Sequence, residues 1–240
     1  LHLSIRRQRQ MCIRDSVCTG TPVNLSVTGG TTYTWSASPA DPTLVNPTSP
    51  SITVTPTVTT NYVVSSPAFT VREMIYNGDF SLGNQGFYTD YRFFSPSNPN
   101  GAQRTYGIVA NAQSWWNTFQ PCTGRGGSGN MMVVDGSTFA GGTDKVWCQT
   151  VPVQTGQTYN FSYWVQSLTA TNLANLEVTI NGVVVNTALA PTPTCTWAIR
   201  NHSWNSGTAT LAEICIFART TTVAGNDFAL DDISFTTTSG

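Results

Sequence analysis

Charge is scarce in this chain: only 10% of its 240 residues are Asp, Glu, Lys or Arg, and Lys145 is the single lysine. A surface so poor in cations cannot present the basic stripe that a phosphate backbone requires, so a nucleic-acid partner is excluded from the reading. Histidine is equally sparse, with His2 and His202 alone, and no C-x-x-C pair occurs, which leaves zinc too few ligands. No run approaches the roughly 18 apolar residues that a membrane helix needs, so no membrane insertion is expected. G-x-S-x-G is missing, and a catalytic triad would have to use His202, which falls in an ordinary strand pattern. The carboxylates Asp79, Asp90, Asp135, Asp144, Glu177, Glu213, Asp227, Asp231 and Asp232 fit no catalytic motif, so no enzyme is expected. No segment sustains a 3.6-residue apolar period, and the chain reads as all-β.

The first sixteen residues stand apart. Arg6 to Asp15 is what CGT CGG CAG CGT CAG ATG TGT ATA AGA GAC encodes, and that string resembles a transposase sequencing adapter. Residues 1–16 are therefore expected to be a non-native, disordered tail, and the sequence a fragment of metagenomic origin. Without their four Arg and one Asp, 7 basic residues face 11 acidic ones, a formal net charge of −4.

What remains is rich in Thr, Ser, Asn and Gly, together with Val, Ile, Phe, Tyr and Trp, which is the composition of a secreted β-protein. Setting Cys12 aside leaves Cys18, Cys122, Cys148, Cys195 and Cys215, spread widely as disulfide-forming cysteines are in oxidising compartments. The last four allow three pairings. Proximity in sequence favours Cys122–Cys148 and Cys195–Cys215, leaving Cys18 over.

Two domains follow. In 17–70, Val23, Leu25 and Val27, then Tyr33 and Trp35, then Ile52 and Val54, then Tyr62 and Val64 alternate with polar residues, with Gly29-Gly30 as a turn. Cys18 to Leu25, Tyr33-Thr34-Trp35 and Thr59 to Val64 resemble a bacterial immunoglobulin/PKD-like repeat. That resemblance implies a small β-sandwich spacer with Trp35 in its core. A short join at 67–73 leads to the second domain, 71–240. Its strands are expected at Tyr106–Val109, Asn130–Asp135, Lys145–Val153, Thr158–Ser167, Asn175–Val185, Trp197–Trp204, Thr210–Ala218 and Asp227–Phe235. Ser95–Gln103 reads as a loop, and Thr155-Gly156, Asn181-Gly182 and Ser206-Gly207 are turns.

The opening Asn77-Gly78-Asp79-Phe80 and the closing Asp227 to Phe235 resemble the two ends of a jelly-roll carbohydrate-binding module of galactose-binding-like type. The stretches Gly129 to Gly136, Val146 to Val151, Tyr159 to Val165 and Asn175 to Val183 occur in that family's order. The resemblance implies a two-sheet antiparallel sandwich whose first and last strands lie side by side. It also implies a structural calcium held by Asp79 and Asp232, with Asp231 as a substitute, because carboxylates and carbonyls suit that hard cation. Ser81 stands where family members often carry Glu. The alternative is an Asx-turn at Asp79, with Asp231 or Asp232 solvated or paired with Arg.

Strand parity places Tyr159, Phe161, Tyr163 and Val165 inward, together with Trp147. Trp164 and Gln166 then face outward, beside Glu177 on the next strand. An aromatic ring for sugar C–H faces with an amide and a carboxylate for hydroxyls makes a candidate platform. Tyr88, Tyr91, Trp115 and Trp116 are candidates for its rim, with packing as their alternative. The functional expectation is a non-catalytic module that binds a polysaccharide or other glycan, within a larger secreted or cell-surface multidomain chain. The rival is a structural or adhesive repeat without a discrete sugar site. An open groove at Trp164 would favour the first, and a covered face the second.

Overall fold

A computed structural model describes residues 11–12, 19–27, 32–66, 70–95, 102–137, 143–220, 222 and 224–239. Cys18, the Gly29-Gly30 turn, most of the first sixteen residues, and the middle of both the 67–73 join and the 95–103 loop lie outside the described residues. The chain divides into two compact units, Leu1–Val71 with Thr238–Gly240, and Arg72–Thr237.

The first unit is built from short strands. β1 (Met11–Cys12), β5 (Asn61–Ser65) and β3 (Thr34–Ser38) form one sheet in the order β1-β5-β3, and β2 (Val23–Ser26) pairs with β4 (Ser51–Val54) in another. Met11 and Cys12, expected in a disordered tail, are thus strand residues paired with Val64 and Val63. Alternation buries Trp35, Ile52, Val54 and Val64 with Tyr33 as one core. The indole nitrogen of Trp35 donates to the Ser49 carbonyl at 2.9 Å, so this buried donor is satisfied.

The second unit is a two-sheet antiparallel jelly roll. Its strands are β6 (Thr70–Glu73), β7 (Arg92–Phe93), β8 (Thr105–Val109), β9 (Met131–Asp135), β10 (Lys145–Pro152), β11 (Thr158–Ser167), β12 (Asn175–Ile180), β13 (Val183–Leu189), β14 (Ala198–Asn205), β15 (Leu211–Ala218) and β16 (Phe228–Ser239). One sheet runs β14-β11-β16-β9-β8-β7, with β6 also on β16, and the other runs β10-β15-β12-β13. The pairing of β7 with β8 is parallel. Period-two patterning turns Tyr159, Phe161, Tyr163 and Val165 of β11, and Leu176, Val178 and Ile180 of β12, into the shared core with the fully buried Trp147.

The opening and closing stretches meet. Ile233 donates its N–H to the Gly78 carbonyl at 2.9 Å. A Cβ on Gly78 would lie 1.9 Å from the Ile233 carbonyl oxygen, so only glycine permits this approach. Register breaks between Ser162 and Trp164, where Asp231 and Ser234 are successive partners on β16. Asp232 has a φ of 43° in this bulge. The bulge re-aims the Asp231–Asp232 pair away from the ladder.

A second core lies on the outer face of the six-strand path. Segment 110–130 folds over it through a one-turn helix, α1 (Ala112–Trp115), whose N-cap Asn111 accepts from the N–H of Gln113 at 2.9 Å. Trp115, Phe119 and Cys122 pack there on Val109, Met131, Val133 and Ala229. Gly107 makes room for Trp115, since a Cβ at that position would sit 2.3 Å from the indole nitrogen.

The disulfides are Cys122–Cys195 and Cys148–Cys215, not the sequence-adjacent pairs expected. Cys122 belongs to the covering segment, whereas Cys148 lies on β10, directly opposite Cys215 on β15. Nearness in sequence misleads here because β10, which carries Cys148, pairs with the distant β15, while Cys122 lies in the segment that covers the other sheet.

Candidate functional site

The platform expected around Trp164 does not assemble. Trp164 is on β11, flanked by Ile199 of β14 and Asp231 of β16. Glu177 is on β12, in the other sheet, so the two sit on opposite sides of the sandwich. Gln166 does face outward from β11 but is 0% exposed beneath the covering segment, donating to the Thr123 carbonyl at 3.1 Å. Trp115 is buried, and its indole nitrogen donates to the Phe94 carbonyl at 3.0 Å. Trp116 is half-buried against the same cluster, and Tyr91 is buried in the main core. These three rings serve packing.

Tyr88 and Glu177, by contrast, share the outer face of the four-stranded sheet. Tyr88 exchanges backbone hydrogen bonds with Cys148 at 2.9 and 2.8 Å, adding one bridge to the edge of β10. The residue is 58% exposed and its hydroxyl donates to Asp90 at 2.6 Å, which holds the phenol above its usual range. Lys145 stands 5.8 Å from the ring centre and 3.4 Å from Glu213. Two strands further, Phe217 of β15 lies opposite Glu177, and Arg219 bridges them. Its guanidinium carbon is 4.6 Å above the Phe217 ring and one of its nitrogens is 2.5 Å from Glu177. A groove of about 510 Å³ between Tyr88, Gln149, Thr150 and Glu213 opens on this face.

This face therefore combines an exposed aromatic ring with donors and acceptors held in place by ion pairs. Lys145, Glu213, Phe217 and Arg219 were missing from the sequence expectation. The signal was available: Glu213, Cys215 and Phe217 alternate out of phase with the buried Ala212, Ile214 and Ile216.

A second concavity, of about 430 Å³, lies between the opening loop and the bulge, and Asp79, Ser81, Arg125, Asp231 and Asp232 line it. The three carboxylates thus line one concavity, and each already has partners. Asp79 accepts from the Ser81 N–H at 3.1 Å and the Ser81 hydroxyl at 2.9 Å. Asp231 accepts from the N–H groups of Arg125 at 2.9 Å and Asp232 at 2.8 Å. Asp232 pairs with the Arg125 guanidinium. Burial pushes Asp231 up to about 6 against the pull of those N–H bonds. Among the described residues, no three His, Cys, Asp or Glu side chains converge as a metal cage would require. The donor set does not fit a calcium ion as it stands.

Asp227 and Asp135 are also raised, to about 7 and about 6, by burial first, with the neighbouring Asp135 charge adding to Asp227. Neither lines the Tyr88 groove or the pit at the opening loop.

No protein-family model and no curated protein matches the chain. Solved structures do. A Stig cyclase, Fisc, from Fischerella sp. TAU, in complex with an indole ligand, is similar over 70% of this chain and 98% of its own, at 8% identity and a TM-score of 0.50. The CBM22-1 xylan-binding domain of Paenibacillus barcinonensis Xyn10C is similar over 73% of this chain and 99% of its own, at 14% identity and a TM-score of 0.43. The sugar-binding EclA C-terminal domain is 13% identical over 38% of this chain, with a TM-score of 0.35, and the chain spans 66% of that protein's length. The likeness to the cyclase is one of fold: the jelly roll is shared, and the site residues speak for themselves.

Proposed function

We propose that the 72–237 unit is a non-catalytic glycan-binding module and that its binding face is the outer face of the β10-β15-β12-β13 sheet. One observation carries the reading: the 110–130 segment covers the outer face of the larger sheet over β8, β9 and β16 and above Gln166, while the outer face of the four-stranded sheet presents the exposed Tyr88 beside the Lys145–Glu213 and Arg219–Glu177 pairs. A sugar ring can stack its C–H face on Tyr88, and the fixed carboxylates and cations are placed to meet its hydroxyls. The two disulfides support a secreted or cell-surface location. The first unit is read as an immunoglobulin-like spacer in a larger surface protein. The rival, a structural or adhesive repeat, draws on the covered face at Gln166.

A glycan-array screen of the folded chain tests the proposal. Tyr88→Ala should weaken binding about tenfold, the scale of one lost aromatic contact. Glu177→Gln should weaken it too, whereas Trp164→Ala should leave it intact. A folded protein that binds no glycan would favour the structural repeat. Binding lost with Trp164 but not with Tyr88 would move the site to the other sheet.

A further inference from the structure

We infer that Arg125 is the built-in cation of the pit between the opening loop and the closing strand, standing where the family resemblance places a calcium ion. Three contacts converge on this residue. Its backbone N–H binds Asp231 at 2.9 Å, its guanidinium pairs with Asp232, and the guanidinium carbon lies 4.5 Å over the Trp164 ring. The backbone contact and the side-chain contact thus satisfy two successive carboxylates of one bulge.

Carboxylates brought this close need a compensating charge, which a metal ion or a guanidinium can supply. Calcium asks for six to eight oxygens around one point. Here Ser81 contributes only a hydroxyl where family members often carry Glu, and that hydroxyl is spent on Asp79. Asp79 is exposed to solvent and needs no internal counter-charge, so one guanidinium suffices for the partly buried pair. Trp164, which binds no sugar in this account, acquires a role: its ring face positions the guanidinium by a cation–π contact. The consequence is a module whose opening loop, covering segment and last strand are joined without a metal.

Calcium calorimetry and thermal unfolding of the full chain test the inference. The wild-type protein should give no binding heat with CaCl₂, and its unfolding midpoint should be the same in EDTA and in calcium. Arg125→Ala should lower the midpoint by a few degrees, and calcium should restore most of the loss. Arg125→Lys keeps the charge and should lose less, without responding to calcium. Calcium binding by the wild type, or a wild-type midpoint that calcium raises, would overturn the inference. So would an Arg125→Ala loss that calcium leaves untouched, since Arg125 would then support packing only. Should Arg125→Ala fail to fold, the wild-type calorimetry and Arg125→Lys still decide.

Discussion

Asp227 is 8% exposed at the start of the closing strand, and one of its carboxylate oxygens accepts the Gly136 N–H at 2.9 Å. Burial raises its pKa to about 7, the Gly136 bond pulls it down, and the Asp135 charge pushes it up. A carboxyl raised on folding keeps its proton in the native state after the unfolded chain has released it. Its contribution to stability is full below about pH 4 and is lost as the pH rises towards 7. Asp135, raised to about 6, adds a slope of the same sign. Asp227→Asn keeps the oxygen that Gly136 binds and removes the ionisation. The variant should therefore gain stability at pH 7.5, on the order of 2 kcal/mol, and gain little at pH 4. Urea unfolding at the two pH values measures this, and equal effects at both would rule out a native-state carboxyl of raised pKa.

At the scale of elements, the 110–130 segment has only the one-turn α1 and a three-residue 3-10 turn at Arg125–Gly127 to hold its shape. Its attachment to the sheet rests on the Trp115 and Phe119 packing, on the polar contacts of Thr123 and Arg125 with Gln166, Trp197, Asp231 and Asp232, and on the Cys122–Cys195 disulfide, which spans 73 residues. Replacing both cysteines by Ser should cost about 2–4 kcal/mol, largely through the freed unfolded chain. Amide exchange should quicken in 110–130 while the four-stranded sheet stays protected and glycan binding at Tyr88 persists. Unchanged exchange in the segment would mean that packing and the Thr123 and Arg125 contacts hold it without the disulfide. The same element shows what the sequence can and cannot say. Strand positions were legible from alternation and turns: β11 is Thr158–Ser167 as expected, and the inward parity of Tyr159, Phe161, Tyr163 and Val165 is correct. Strand neighbours were not legible. From β9 to β12, successive strands alternate between the two sheets, so Trp164 and Glu177 face away from each other across the core. Parity is local, whereas partnership is set by crossovers. That is why the disulfides were misassigned, whereas Gln166 faces outward as parity predicts and is buried only because the 110–130 segment folds over it.

The whole chain divides its core unevenly. Residues 72–237 enclose a large continuous core, both disulfides, the Tyr88 face and the Arg125 pit. The first unit buries a core of Tyr33, Trp35, Ile52, Val54 and Val64 between strands of two to five residues. Backbone ordering costs about 1–2 kcal/mol per residue, and fewer than about 70 residues rarely bury enough apolar surface to offset it without a crosslink. Expressed separately, 72–237 should unfold cooperatively with dispersed NMR amide signals, whereas 17–70 should be marginal, with a broad, shallow thermal transition. Trp35→Ala, which removes that core's largest side chain and its bond to Ser49, should abolish the transition in 17–70. A sharp, stable transition in isolated 17–70 would show that its small core suffices. It would also shift the account of that unit from a dependent spacer to an autonomous domain.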